Sequence, residues 1–303
     1  MIILLDFRIE TLILVCKYMN FTKAAEKLNI TQPAVSQHIK FIEESYGITL
    51  FKYEGKKMSL TEECKILLEA VITMKNDEIH LKEMFKERKL GKKKLRFGVT
   101  CTIGEYIIGT KISKVIKEKD NTEIKLEVNN SNVLLMDLNN GEIDFAIVEG
   151  YFEKNQYDYV TLSQERFIAV CSKDNKILNK FKNKKIYLKD LLGENLLIRE
   201  EGSGSREIFL NNIRERNYNI NDFKNYYEIG NINVIKQLAI QNFGITFVYE
   251  VAVKEELKKG ILYEISLEDF NVTHDFNFIW RKNSGFKDYY MKIYESLKND
   301  VID

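Results

Sequence analysis

The stretch Phe21–Gly47, "FTKAAEKLNITQPAVSQHIKFIEESYG", decides how the chain is to be read. It holds the single proline among 303 residues, Pro33, just ahead of an apolar-periodic run. Thr31 is a residue type that caps helix starts. Pro33 then falls in the first turn, where a missing N–H costs nothing and the fixed φ suits helix entry. Val35, Ile39 and Ile42 form the inward face of this helix, and Gln32, Ser36, Gln37 and Lys40 lie on the other side. Upstream, "KAAEKL" reads as a helix capped by Thr22, with Ala24, Ala25 and Leu28 inward. The two small residues let a neighbouring helix approach closely, and "NIT" is a tight turn between the two helices.

Working outward, Leu5, Ile9, Leu12, Cys16 and Met19 recur at steps of four and three. They predict a first helix that takes in the opening "MIILLDF" and ends at Asn20. After Gly47, "ITLFKYEGKKMSL" alternates like a two-stranded hairpin around Glu54-Gly55. Three short helices followed by a hairpin make a winged helix-turn-helix over 1–60. The third helix then enters a DNA major groove. Gln32 and Gln37 suit adenine edges, and Ser36 suits either base type. Thr31, Lys40, Lys52, Lys56 and Lys57 are placed for phosphates. His38 is expected to face DNA or solvent.

Thr61 caps a long helix over 61–90. Leu60, Cys64, Leu67, Val71, Met74, Leu81 and Phe85, with Glu78 filling the gap, follow a heptad and predict a seam that needs a partner helix. The helix stops near Gly91. "FKERKLGKKKLR" carries seven basic residues against one acidic and reads as a solvated linker with a hinge at 91–94.

From Leu95 the pattern becomes strands alternating with helices: "LRFGVT", a helix at about 105–118, "EIKLEV", a helix near 131–140, and "DFAIVEG". "FIAVCSK" (167–173), "NLLIRE" and a helix from about Ser203 follow. Then come "VIKQLAIQNFGITFVY", "ILYEISL", "FNFIWRK" and a last helix over 286–298. This is α/β architecture, and its length suits two lobes. Lobe I covers about 95–163 and 268–303, and lobe II about 164–267.

The totals agree with a soluble, cytoplasmic chain: 45% apolar, 30% charged, net charge +1. Nothing resembles a signal peptide or a membrane span. Four scattered cysteines suit a reducing compartment. His38, His80 and His274 sit in separate segments, so neither metal nor cofactor is expected. No nucleophile–base set argues for an enzyme.

Phe21-Thr22, Ala24-Ala25, Thr31-Gln32-Pro33-Ala34, Ser36, Ile42-Glu43, Gly47 and Leu50-Phe51 together resemble the DNA-binding signature of LysR-type transcriptional regulators. The resemblance continues through the wing and linker helix into the remainder, and so covers the whole chain. It implies that Pro33 helps set the recognition helix against DNA. It also places Tyr53 where the family wing carries Arg, and Gln37 where Arg is common. Residues 95–303 should then form a periplasmic-binding-protein-like effector domain, with its ligand between the lobes. By the same resemblance Thr100, Cys101, Thr102, Asn130, Ser131, Arg199, Ser203, Gly204, Ser205 and Asn231 face that cleft.

The "GSGS" turn adds a reading of its own. Exposed N–H groups and hydroxyls at a helix start favour an anion, although plain capping serves the same residues. A small carboxylate or oxyanion effector is expected. An inward-facing Glu200 or Glu201 would count against it. The implied partners are double-stranded DNA with an inverted-repeat operator, that effector, a second chain through the linker helix and, through the effector domains, a homotetramer. RNA polymerase is a further candidate. The alternative is a solute-binding or enzymatic α/β domain fused to a DNA-binding head.

Overall fold

A computed structural model describes residues 5–55, 57–118, 122–182 and 184–298. The N-terminal head consists of α1 (Arg8–Tyr18), α2 (Phe21–Leu28), α3 (Gln32–Tyr46) and a hairpin of β1 (Phe51–Glu54) and β2 (Lys57–Leu60). Thr31 Oγ1 accepts from Ala34 N, and Pro33 lies in the first turn of α3. Gly47, at φ +65°, ends that helix with its N–H on the Glu43 carbonyl. A residue with a Cβ is disfavoured there. Ala24, Ala25, Val35, Ile39 and Ile42 are buried with Leu12, Val15 and Leu50 in one core.

Local expectations shift in three places. The helix cap before α2 is Asn20, which accepts from Lys23 N at 2.9 Å, and Thr22 lies inside the helix. The first helix begins only at Arg8, because Asp6 bonds Arg8 N at 2.8 Å and fixes a helix start there. The first four residues of the expected helix lie outside the described residues. Met19, exposed and at φ +47°, closes α1 one residue before Asn20.

The linker helix α4 (Glu62–Leu90) is capped by Thr61, whose Oγ1 accepts from Cys64 N and donates to Thr49 O at 2.6 Å. Its expected heptad seam divides. Cys64 and Val71 are buried in the head's own core, with Leu67 packed against it. The Cys64 Sγ lies 3.7 Å from Cys16 Sγ of α1. The first turns of α4 therefore close the head of the same chain. What stays exposed is a stripe that keeps Met74 and Phe85 of the expected seam and adds Ile66 and Ala70. Glu78, at a seam position, is buried and pairs with Lys82 at 2.7 Å.

The effector unit contains β3 (Lys93–Thr100), α5 (Cys101–Tyr106), α6 (Ile108–Glu118), β4 (Thr122–Asn129), α7 (Ser131–Asn140) and β5 (Phe145–Val148). It continues with β6 (Tyr157–Ser172), α8 (Lys176–Lys180), β7 (Asn195–Ile198), α9 (Gly204–Glu215), β8 (Asn225–Glu228), α10 (Ile232–Ile240) and β9 (Ile245–Tyr249). The last elements are α11 (Glu250–Lys258), β10 (Leu262–Ile265), β11 (Val272–Arg281) and α12 (Lys287–Lys298). Strand order is β4-β3-β5-β11-β6-β9-β7-β8, with β10 beside β6. Parallel β3, β4 and β5 belong to lobe I, and parallel β7, β8 and β9 to lobe II. The antiparallel pair β6–β11 runs through both lobes, with a bulge at Leu162 opposite Phe276 and Asn277.

Three features differ from the sequence reading. Strand β6 starts ten residues before "FIAVCSK", because its first half alternates buried and exposed as a strand covered on one face. The helix expected at 105–118 is two helices broken at Ile107. Lys93 and Lys94 pair with Thr122 and Glu123 in the sheet, which leaves Gly91 and Lys92 between linker and strand.

Linker and lobe I are joined by polar contacts. Asp77 accepts from Ser284 Oγ at 2.6 Å and Gly285 N at 2.8 Å, and Thr73 Oγ1 donates to Lys282 O. His80 Nδ1 lies 3.1 Å from Asp144 Oδ1, the oxygen that Arg96 Nη2 also holds at 2.6 Å, while Arg96 Nε donates to Oδ2 at 3.2 Å. Burial pushes the Asp144 carboxyl up, but the hydrogen bonds from His80 and Arg96 outweigh this and hold it below the ordinary range.

Candidate functional site

On the head, α3 presents Thr31, Gln32, Pro33, Gln37 and Lys40 exposed and Ser36 half-buried. Gln32 Nε2 donates to Ser36 Oγ at 3.0 Å, so the two move as a pair. Lys40 has only a loose contact with Glu44 at 3.6 Å. Glu43 turns away from this face and accepts from Leu50 N at 2.8 Å, fixing the hairpin to the helix. His38 does not face outward. Its Nδ1 lies 2.9 Å from Thr11 Oγ1 and its ring stands edge-on to Phe7, both in or beside α1.

Strand geometry sorts the wing residues. Lys52 pairs with Ser59 and Glu54 with Lys57, so Lys52 and Lys57 share one face. Tyr53 pairs with Met58 on the opposite face, with Phe51 and Leu60, and is exposed at its tip. Lys56 lies outside the described residues.

The second set of residues meets where strand ends of the two lobes converge. In lobe I, β3 ends at Thr100, α5 carries Cys101 and Thr102, and Glu149 follows β5 directly. In lobe II, Arg199 and Glu200 follow β7, and Tyr249 ends β9. Thr102 Oγ1 donates to Glu149 Oε1 at 3.2 Å, and Ser131 Oγ donates to the Glu149 carbonyl at 2.9 Å. Burial pushes the Glu149 carboxyl up to about 7 despite the Thr102 hydrogen bond and the nearby Arg199 charge. Arg199 clasps Glu200 through Nε at 2.7 Å and Nη2 at 2.9 Å. The half-buried Cys101 thiol lies beside Arg199, yet burial still raises it.

The lobes touch here. Gly150 and Gly204 approach so closely that a Cβ on Gly204 would collide with the Glu149 carbonyl oxygen, and one on Gly150 with the Gly204 backbone. Ser203 and Ser205 hydroxyls bond each other at 3.0 Å at the start of α9, and Ser203 makes no side-chain cap there. A bridge of Asn233 to Tyr106 (3.0 Å) and Glu105 (2.7 Å) links α10 to α5.

The structure thus brings Thr100, Cys101, Thr102, Ser131, Arg199, Ser203, Gly204 and Ser205 together. Asn130 caps α7 while its carboxamide lies beside Gly202 of the turn ahead of α9, so it borders this place, and Asn231 caps α10. Sequence reasoning missed Glu149, Glu200 as a partner, and Tyr249. Glu149 did leave a signal: an acid set between a fully apolar strand and a glycine, "FAIVEG". The site also carries the feature named as counting against a simple anion, since Glu200 faces inward onto Arg199 while Glu201 is exposed.

Comparison with known proteins agrees with this architecture. A family profile for the LysR substrate binding domain matches residues 88–286, and one for the bacterial regulatory helix-turn-helix protein of the lysR family matches 8–65. An uncharacterised helix-turn-helix transcriptional regulator of Methanocaldococcus jannaschii is 27% identical over 266 residues, covering 87% of this chain and 88% of that one. Full-length LysG of Corynebacterium glutamicum with bound effector Arg has TM-score 0.61 at 14% identity, covering 96% of both chains. The Synechocystis CcmR regulatory domain in complex with 2-PG has TM-score 0.61 at 20% identity, covering 68% of this chain and 96% of that one. The chain belongs to the LysR family of transcriptional regulators. It is a DNA-binding regulator with a winged head and an effector-binding domain, and its relatives are regulators rather than enzymes. Among the described residues no helix is long and apolar enough to cross a membrane, and no three His, Cys, Asp or Glu side chains group as a metal site.

Proposed function

We propose that this regulator works in the cytoplasm as a homodimer that grips an inverted-repeat operator and responds to a small effector bearing an acid group, held between the lobes. The α4 stripe of Ile66, Ala70, Met74 and Phe85 is the face offered to a second chain; association of the effector domains makes a tetramer, and RNA polymerase is a further partner. In each head Gln32, Ser36 and Gln37 read base edges. Thr31, Lys40, Lys52 and Lys57 meet phosphates, Pro33 sets the helix angle, and Tyr53 stands at the wing tip. Half-sites lie about one helical turn apart.

The observation that carries the effector reading is Arg199 Nη1, a donor-only group that is buried and lacks a hydrogen-bond partner beside the uncapped start of α9. An acid group answers both. The direct test is footprinting of purified protein on the DNA upstream of its own gene. A long protected region containing an inverted repeat, altered by one of a panel of small acids, is expected. Absence of protection at low salt by folded protein would remove the DNA half of the proposal. Binding with a steep log–log salt slope is expected alongside.

A further inference from the structure

Four side chains at the interlobe site are each at least nine-tenths buried and each has a polar atom with no hydrogen-bond partner: Thr100 Oγ1, Glu149 Oε2, Arg199 Nη1 and Tyr249 Oη. They come from four strand ends, two in each lobe. Native interiors satisfy such atoms, so a cluster of four at a domain interface marks groups waiting for a ligand. Their chemistry is not uniform. Arg199 Nη1 can only donate. Ionised, Glu149 Oε2 can only accept. The two hydroxyls adapt to either role.

We propose that the effector is a small amphoteric molecule of the amino-acid type, its acid group taken by Arg199 Nη1 and the start of α9, its ammonium group by Glu149 Oε2. This rests on the interlobe effector reading above and sharpens it. An anion without a donor leaves Glu149 facing it as an ionised or proton-carrying neighbour. A plain amine leaves the Arg199 donor unmet. A ligand with both groups at the two ends of a short skeleton meets both, and the neighbouring strand ends add the Thr100 and Tyr249 hydroxyls.

The charge balance of the site supports the same class. It holds two carboxyls, Glu149 and Glu200, against one guanidinium, and Glu200 already engages two of the three Arg199 nitrogens. A ligand of net zero charge suits this better than a dianion. Titration gives the reading a sign. The groups facing Glu149 are Thr102 and Cys101 on α5, Arg199 and Glu200 after β7, and Tyr249 at the end of β9. Burial pushes the Glu149 carboxyl up to about 7. An ammonium group favours its ionised form, so binding expels a proton to solvent and tightens as pH rises. A donor-free anion favours the protonated form, so its binding takes up a proton and weakens as pH rises.

The experiment is calorimetric titration of the full-length protein with the standard L-amino acids, each alongside its α-hydroxy acid and its decarboxylated amine, and with sulfate, phosphate and pyruvate as donor-free anions. At least one amino acid is expected to bind about tenfold or more tightly than both of its analogues. Its affinity should rise between about pH 6 and about pH 8 with net proton release. Glu149→Gln, checked for a cooperative melt, should erase the preference over the hydroxy acid. A donor-free anion that binds as tightly and weakens with rising pH overturns the proposal. So does an unchanged preference in the Glu149→Gln variant, or no binding by any amino acid. Ser205→Trp separates the two levels. If it abolishes binding of a donor-free anion, the interlobe reading stands and only the amphoteric class falls. If binding of whatever ligand is found ignores Ser205→Trp, the interlobe reading falls as well.

Discussion

The head and the interlobe site handle polar groups in opposite ways. On α3 the side chains offered to DNA are exposed, apart from the half-buried Ser36 that Gln32 bonds, so replacing water by a base edge is an exchange of near-equal partners. At the interlobe site Thr100, Glu149, Arg199 and Tyr249 are buried with polar atoms that no protein group pairs, an arrangement that costs stability. The head is therefore built to be stable and to read; the cleft is built to be completed. Substitutions on the two surfaces should consequently differ in whether they touch stability at all.

The largest expected effect comes from Glu149. Its folded carboxyl titrates at about 7, above its unfolded value, so the unfolded chain ionises first as pH rises. Stability then falls between about pH 4.5 and about pH 7 and stays reduced above that. Glu149→Gln removes this penalty. It should leave stability at about pH 4 unchanged and raise it at about pH 8 by roughly 3 kcal/mol, read from urea melts at both pH values. A wild-type chain whose stability is flat across that range would break the contrast at its strongest point.

Gly204→Ala comes next. The new Cβ meets the Glu149 carbonyl oxygen, and the lobes must part to admit it. A loss of about 1–3 kcal/mol is expected, together with loss of any calorimetric effector signal. Thr61→Ala should cost about 1–2 kcal/mol, because Thr61 both caps α4 and bonds the Thr49 carbonyl in the connection ahead of β1. It belongs to the head, yet behaves like an interior site because its hydroxyl is buried. Gln37→Ala should change stability by less than about 0.5 kcal/mol, while relaxing discrimination at one operator position by about 1–3 kcal/mol in competition footprints. Equal stability losses for Gln37→Ala and Gly204→Ala would erase the distinction between the two regions.

The same contrast explains what could be read in the sequence. The head is specified by signals a few residues apart: Thr31 three residues from the N–H it caps, Pro33 in the first turn, Ala24 and Ala25 at a helix crossing, Gly47 at a positive φ. Local chemistry of this kind survives in a linear string. The α/β part was legible as a pattern, because apolar strands alternate with helices, but its long-range facts were not. The pairing of β6 with β11, more than a hundred residues later, turns "YDYVTLSQERF" into strand. Glu149 becomes a site residue only because Arg199 and Tyr249 arrive from another lobe. Cys64, Leu67 and Val71 read as a seam for a second helix because a heptad cannot say whether its partner is another chain or the head of its own.

The joint between α4 and lobe I carries a consequence for where motion is visible. Asp77, Thr73 and His80 tie the helix to Ser284, Lys282 and Asp144, all in lobe I, and Asn76 adds the Leu138 carbonyl. The head's core extends into the same helix. Head, linker helix and lobe I are thereby tied to one another, and lobe II is joined to lobe I by β6–β11 and the Asn233 bridge. A fluorophore pair spanning the linker helix and lobe I should stay silent when an effector arrives. One spanning the linker helix and lobe II should report it, with the swing centred on the bulge at Leu162.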